Sequence, residues 1–327
     1  AARVAEHLDR AGAVADAVAA YRRAAADAVL LHAAGDAVRL LQRALGLLDG
    51  TPRTPDRDAT ELAVRAALLP PLALVGGYSS AAIRTAQDRY VDLVHTHGRP
   101  MPPVLLRSLA LSALARSDFA AAVRHAELLR AAAEPDDVEV AEAAYVLGVA
   151  AFWQADFPAA RRWFELSVAR YRPQNRRAHL IRFGQDPKVL ALARLANTRW
   201  FLGEPGAAVA TRAAALDWAE RAGHPPNRAA ALTFGALLAL DMDEPDELRA
   251  HTAALVAAEP EAPQTRLVGA ALAGYLRVLD GDPTGVAAVR EAGHAAAGEQ
   301  AAPGLHTIMA RVLVGALRAA GDGPGAA

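Results

Sequence analysis

Residues 155–171, ADFPAARRWFELSVARY, decide how this chain folds. Ala155 sits in a break between two apolar runs, Asp156 is suited to cap the start of a helix, and Phe157 can cover the turn. Ala160, Phe164 and Ser167 then follow five, nine and twelve positions after Ala155. At 3.6 residues per turn these offsets share one helical face. The same offsets recur outward in both directions. Gly12 is followed by Ala17, Tyr21 and Ala24, Gly77 by Ala82, Ala86 and Arg89, Ser117 by Ala122, Ala126 and Leu129, and Gly203 by Ala208, Arg212 and Ala215. Asp243 and Gly281 keep the turn but put Leu248 and Val286 at the small position. Asp118-Phe119 repeats the aromatic turn, while Glu204-Pro205 and Asp282-Pro283 place an acid at a helix start and a proline in the first turn, where its missing N–H costs nothing.

A face of this kind is the inward side of the second helix of a helix–turn–helix unit. The turns at 77, 117, 155, 203, 243 and 281 are about 40 residues apart, with one longer step from Ala155 to Gly203. The spacing resembles the tetratricopeptide class with lengthened helices, whose usual period is about 34. The chain therefore reads as all-α, a right-handed α-solenoid of tetratricopeptide-like helix–turn–helix repeats with a period of about 40, running as one array over residues 1–327. A compressed helix pair is expected around Gly35, and Thr51–Asp58 reads as a polar linker between repeats. Gly321 opens a further turn just before Ala327, and the first residue is not methionine, so the expectation is a piece of a longer protein, cut at both ends.

Composition agrees with helices. About a quarter of the residues are alanine, the best helix former, and aromatics make up only 5%. Alanine lets helix backbones approach closely, so the apolar layer between them is thin. With no cysteine, disulfides, thiol catalysis and sulfur-ligated metals are excluded. A net charge of −1 gives no overall field for coating nucleic acid or an anionic membrane. No run of 18 apolar residues is evident and AARVAEHLDR does not resemble a leader, which makes a cytoplasmic location, with no membrane partner, the expectation.

Catalytic patterns are missing. There is no G-x-x-x-x-G-K-[ST] loop, and Lys188, the only lysine, follows Asp186-Pro187. There is no H-E-x-x-H, and His95 and His97 read as a solvated helix end. GGYSSAA is not a nucleophile elbow. Asp136-Asp137 and the acids from Asp241 to Glu247 fall in turns. The expectation is a protein that is not an enzyme, with no cofactor and no metal.

One stretch stands apart. Between Phe157 and Phe183 there are seven arginines and a single acid, Glu165. Residues 170–186 read as a basic insertion between repeats. It is either a long solvated loop paired with acids on neighbouring repeats, or a patch that recognises an anionic ligand or an acidic partner surface. Direct DNA reading is not expected, because no paired basic helix accompanies it. Asp186 as N-cap and Pro187 as first helical residue explain part of the stretch, but capping does not account for Gly184 and Gln185. Trp153, Trp163, Phe164, Trp200, Phe201 and Trp218 surround the same region and read mainly as core. The candidate ligand or partner residues are Arg172, Arg176, Arg177, His179, Arg182, Gly184, Gln185, Asp186 and Trp200. Replacing Arg176 and Arg177 with glutamate is expected to weaken binding without unfolding the chain.

AARVAEHLDRAGAVADAVAAYRRAAADAV, GGYSSAAIRTAQDRYVDL and HLIRFGQDPKVLALARLANTRWFLGEPGAA together resemble the tetratricopeptide-like region that follows the ATPase domain in large bacterial transcriptional regulators. Those carry a LuxR-type or bacterial transcriptional activator domain, or are fused to a cyclase. Gly184, Gln185, Asp186 and Pro187, followed by Trp200, Leu202 and Gly203, carry the likeness most specifically. The resemblance implies a sensor or interaction module that binds a protein, peptide or small effector in its groove, with the ATPase and DNA-binding output domains of its own chain as partners. A free-standing protein–protein scaffold without small-molecule sensing is the alternative.

Overall fold

The computed structural model describes residues 1–134, 138–258, 260, 262–297 and 303–321, with Pro303 described by its backbone alone. Asp136 and Asp137 lie outside the described residues. Among the described residues there are seventeen α-helices and no strand. In chain order they are α1 (Ala2–Arg10), α2 (Val14–Leu30), α3 (Ala34–Asp49), α4 (Pro55–Gly76), α5 (Ala81–Thr96), α6 (Pro103–Ala115), α7 (Phe119–Ala131), α8 (Val138–Trp153) and α9 (Phe157–Arg170). There follow α10 (Arg176–Phe183), α11 (Pro187–Phe201), α12 (Pro205–Ala222), α13 (Pro225–Asp241), α14 (Pro245–Ala257), α15 (Pro263–Leu279), α16 (Thr284–Ala296) and α17 (Pro303–Ala319). Helices adjacent in sequence pack on one another, an arrangement compatible with an α-solenoid.

The turns read from sequence are the left-handed residues of the backbone. Gly12, Gly77, Ser117, Ala155, Gly203, Asp243, Gly281 and Gly321 all have φ between 57° and 87°. A left-handed residue ends one helix and reverses the chain within two or three residues. Three of these positions are not glycine and accept a cost of about 1 kcal/mol each for the Cβ. Asp118 and Asp156 cap the helices that follow, accepting hydrogen bonds from the N–H groups of Ala121 (2.9 Å) and Ala159 (3.0 Å).

Four details differ from the reading. The compressed pair turns at His32 (φ 63°), and Gly35 lies inside the first turn of α3. Ala37, Leu41 and Ala44, at the expected offsets from His32, are all buried. After Gly77 the turn runs on to Ser80, whose Oγ accepts from the Ile83 N–H, so the inward face shifts to Ile83, Gln87 and Tyr90. After Gly281 it shifts the other way, to Gly285, Val289 and Ala292, and Pro283 occupies the cap position rather than the first turn. The second half of the supposed linker is helix, since Thr54 caps α4 and Pro55 begins it.

By contacts the chain forms two compact units, residues 1–109 with 172–186, and residues 110–171 with 187–327. The core of the first unit is an alanine and leucine layer containing Ala17, Val18, Leu41, Leu69, Ile83 and Leu105. Alongside it, Glu61 on α4 is buried among Arg57, Arg65 and Arg89, while Asp58 pairs with Arg53 and with His97, 3.3 Å away. His97 thus ends α5 in an ion cluster. Among the described residues no group of three metal-ligating side chains occurs.

The reading that no apolar stretch has bilayer length needs correcting at α4. This helix has 22 residues and an 18-residue window of mean hydropathy 1.3. Half of that window is buried in the fold, and Leu68, Leu69, Leu72 and Ala73 belong to the first unit's core.

In the second unit, α15 and α16 approach closely at Gly274 and Gly285. A Cβ on Gly285 would lie 2.3 Å from the carbonyl oxygen of Gly274 and 2.7 Å from a methyl of Val278. Asp241 at the end of α13 is paired with Arg311 of α17 (2.8 Å), yet burial pushes its carboxyl up to about 6. A carboxyl raised above its unfolded value favours the fold in its protonated form, so its contribution is present at about pH 4 and fades as pH rises through 6. Asp241→Asn should therefore flatten the stability profile over that window. Urea titrations at pH 4 and pH 7 on both proteins test this, and an unchanged difference between the two pH values in the variant would refute it.

Candidate functional site

Residues 172–186 are not a solvated loop. A 3-10 turn at Pro173–Asn175 leads into α10, which packs on α2 and α4 within the first unit. His179, Leu180 and Phe183 are buried. Removing Leu180 and Phe183 from water contributes roughly 1.5–3 kcal/mol each. Capping does account for Gly184, contrary to the sequence reading. With φ 76° it ends α10, its N–H donating to the Leu180 carbonyl at 2.9 Å. A Cβ there would also sit 3.2 Å from Cβ of Pro70.

The arginines divide by environment. Arg176 is 3.8 Å from the carboxylate of the fully buried Asp186, so replacing it with glutamate would set two acids together, and the expectation that Arg176 can be reversed harmlessly does not survive. Arg177 and Arg182 are exposed and Arg172 is half-buried. The guanidinium of Arg182 lies 5.3 Å from the centre of the Phe183 ring, within range of a cation–π contact.

A second guanidinium stacks on the same ring, and the sequence reading missed it. Arg107 on α6 is 98% buried, with its Cζ 5.4 Å from the Phe183 centroid. Nη1 donates to the Tyr78 hydroxyl (3.0 Å) and to the Phe183 carbonyl (3.3 Å), and Nη2 donates to Oε1 of Gln185 (3.4 Å). This is the role of Gln185: its amide oxygen receives α6. Gly184 lets the chain turn there, and Arg107 ties that turn to Tyr78. A signal was available, because Arg107 is the only charged residue in PVLLRSLALSALA.

Together these groups line a small, shallow cleft that is open to solvent. It is lined by the apolar Leu69, Pro70, Val104 and Phe183 and by the polar Tyr78, Arg107, Ser108 and Arg182. Ser108 Oγ accepts from Gln87 Nε2 at 2.8 Å, which fixes the hydroxyl's position. Two cations beside apolar side chains suit a small anion with a hydrophobic body. A nucleophile with an adjacent base is not part of this arrangement.

Trp200 is not brought into the cleft. It belongs to the second unit, packed against Ala196, Ala208 and Leu238. Lys188 is held there too, its Nζ 3.8 Å from the centre of the Trp218 ring and 5.8 Å from that of Tyr171. No protein-family model matches the chain, and no curated protein matches it.

Proposed function

We propose that this chain is the non-catalytic sensor or interaction module of a signal-responsive transcriptional regulator. Its tetratricopeptide-like repeats, with a period of about 40, wind as a right-handed α-solenoid in the cytoplasm. The ATPase and DNA-binding output domains of the longer protein are its partners. The observation that carries the reading is the cleft in which Arg107 and Arg182 stack on Phe183 beside Tyr78 and Ser108. It is built from segments about 75 residues apart in sequence, and an effector held there contacts α4, α6 and α10 together. An effector bound to the fold alone, present at a hundred times its dissociation constant, stabilises by about 2.7 kcal/mol.

Thermal denaturation of the full chain against small organic carboxylates and phosphates tests the reading. At least one should raise the midpoint, and Arg182→Met should abolish the rise. Stabilisation that persists in Arg182→Met would place the effector elsewhere, and none at all would favour the scaffold reading. One observation supports that alternative: Phe201 is 43% exposed and stacks on Phe157 at 4.9 Å, as an aromatic anchor for a protein partner would.

A further inference from the structure

In the second unit, Arg194 on α11 has no carboxylate partner among the described residues. Its guanidinium lies over Phe234 of α13, with Cζ 4.4 Å from the ring centre, and 5.9 Å from the ring of Trp153 at the end of α8. Nε and Nη1 are sealed from solvent and make no hydrogen bond, while Nη2 is not sealed in this way. Among the described residues no acid pairs with Arg194, whereas Arg161, Arg199, Arg212 and Arg311 of the same unit each meet a carboxylate within 3.3 Å. A guanidinium carries five donors, and sealing two of its nitrogens without acceptors costs several kcal/mol that stacking offsets only in part.

The walls around it are themselves held in place. Asn197, on the next turn of α11, donates to the Phe234 carbonyl at 3.1 Å, and Phe152 meets the Trp153 ring edge-on at 5.7 Å. On its other side Trp153 is backed by Gly304 of α17, where a Cβ would come within 3.1 Å of the ring. Arg194 is thus held in one orientation by rings that offer no acceptor.

We propose that Arg194 receives the carboxylate of a small organic acid with an apolar or aromatic body, at a site separate from the Arg107 cleft. The open Nη2 offers a carboxylate a charge-assisted hydrogen bond, while Nε and Nη1 stay sealed behind it. One positive charge neutralises one carboxylate. A phosphate dianion would bring a second negative charge between Trp153 and Phe234, where no second cation stacks among the described residues. The aromatic rings then cover the apolar body of the acid.

Phenylacetate is the probe, titrated calorimetrically into the full chain, with neutral phenylacetamide and inorganic phosphate as comparisons. Saturable binding of phenylacetate is expected, with at least tenfold weaker binding of the other two. Arg194→Met should weaken phenylacetate at least tenfold. Arg194→Lys keeps the charge but ends short of the Nη2 position and should do the same, which preserves the test if the methionine variant does not fold. Arg182→Met should leave this binding unchanged, so failure here is distinguishable from failure of the effector cleft. The proposal is overturned by absent or non-saturable binding, by binding that survives both Arg194 variants or is lost in Arg182→Met, or by phosphate or phenylacetamide binding that the Arg194 variants abolish.

Discussion

Gly285→Ala should destabilise the second unit by about 3 kcal/mol, because the new methyl has nowhere to go. Two of its three nearest neighbours, the Gly274 carbonyl oxygen at 2.3 Å and the Val278 nitrogen at 3.0 Å, are backbone atoms of α15 that no rotamer change can move aside. Relief requires α16 to slide away from α15, which would uncover Val278 and Val289. Gly293, two turns further along α16, is the control. A Cβ there meets only the Cβ of Met309 at 4.0 Å, so Gly293→Ala should be neutral or stabilising by up to about 1 kcal/mol, through the higher helix propensity of alanine. Chemical denaturation of the two variants measures both. Equal effects of the two substitutions would show that the close crossing of α15 and α16 does not govern stability.

Arg107→Met should cost about 3 kcal/mol and release α10. Methionine fills much of the volume but leaves the Phe183 carbonyl, the Tyr78 hydroxyl and Oε1 of Gln185 without their donor, and each hydrogen bond from a charged group contributes about 1.5–3 kcal/mol. Loss of all three is partly compensated because Tyr78 and Gln185 are able to reach water. The location of the effect separates this mechanism from general unfolding. Amide exchange should accelerate across residues 176–185 and around Tyr78, and remain at wild-type rates in α13 to α16 of the other unit. A uniform acceleration over the whole chain, or none, would sink the idea that Arg107 pins α10.

The helices and turns were legible because each is decided locally. Ala155, Ser117 and Asp243 adopt the left-handed conformation in the structure although none is glycine; the spacing of small residues exposed Ala155 and Ser117, and the recurrence of a turn after about 40 residues exposed Asp243. Where the reading slipped, at Gly77 and Gly281, the number of residues between the turn and the helix cap had changed. The buried face moved by one position at each, later at Gly77 and earlier at Gly281, without any change that composition records. His32 was passed over for Gly35 because glycine is the commoner turn residue.

The candidate site was legible only in half. The basic stretch and the turn at Gly184 and Gln185 drew attention to α10, but charge alone does not distinguish a solvated loop from a helix buried on Leu180 and Phe183. The other half, Tyr78, Arg107 and Ser108, lies roughly 75 to 105 residues earlier in the chain. Arg107 is a single charge in an apolar helix, and its acceptors are a backbone carbonyl, a phenol and an amide, none of which has a sequence signature as a partner.

By itself, then, the sequence determined an all-helical chain of repeated turns, since capping, helix propensity and a face recurring at 3.6 residues per turn act within a dozen residues. The tertiary structure alone decided which charges are buried, which arginine meets which acceptor, and where two glycines let backbones touch. Those outcomes depend on segments far apart in the chain being brought within a few ångströms, where hydrogen bonding and desolvation act, and local pattern carries no record of that distance.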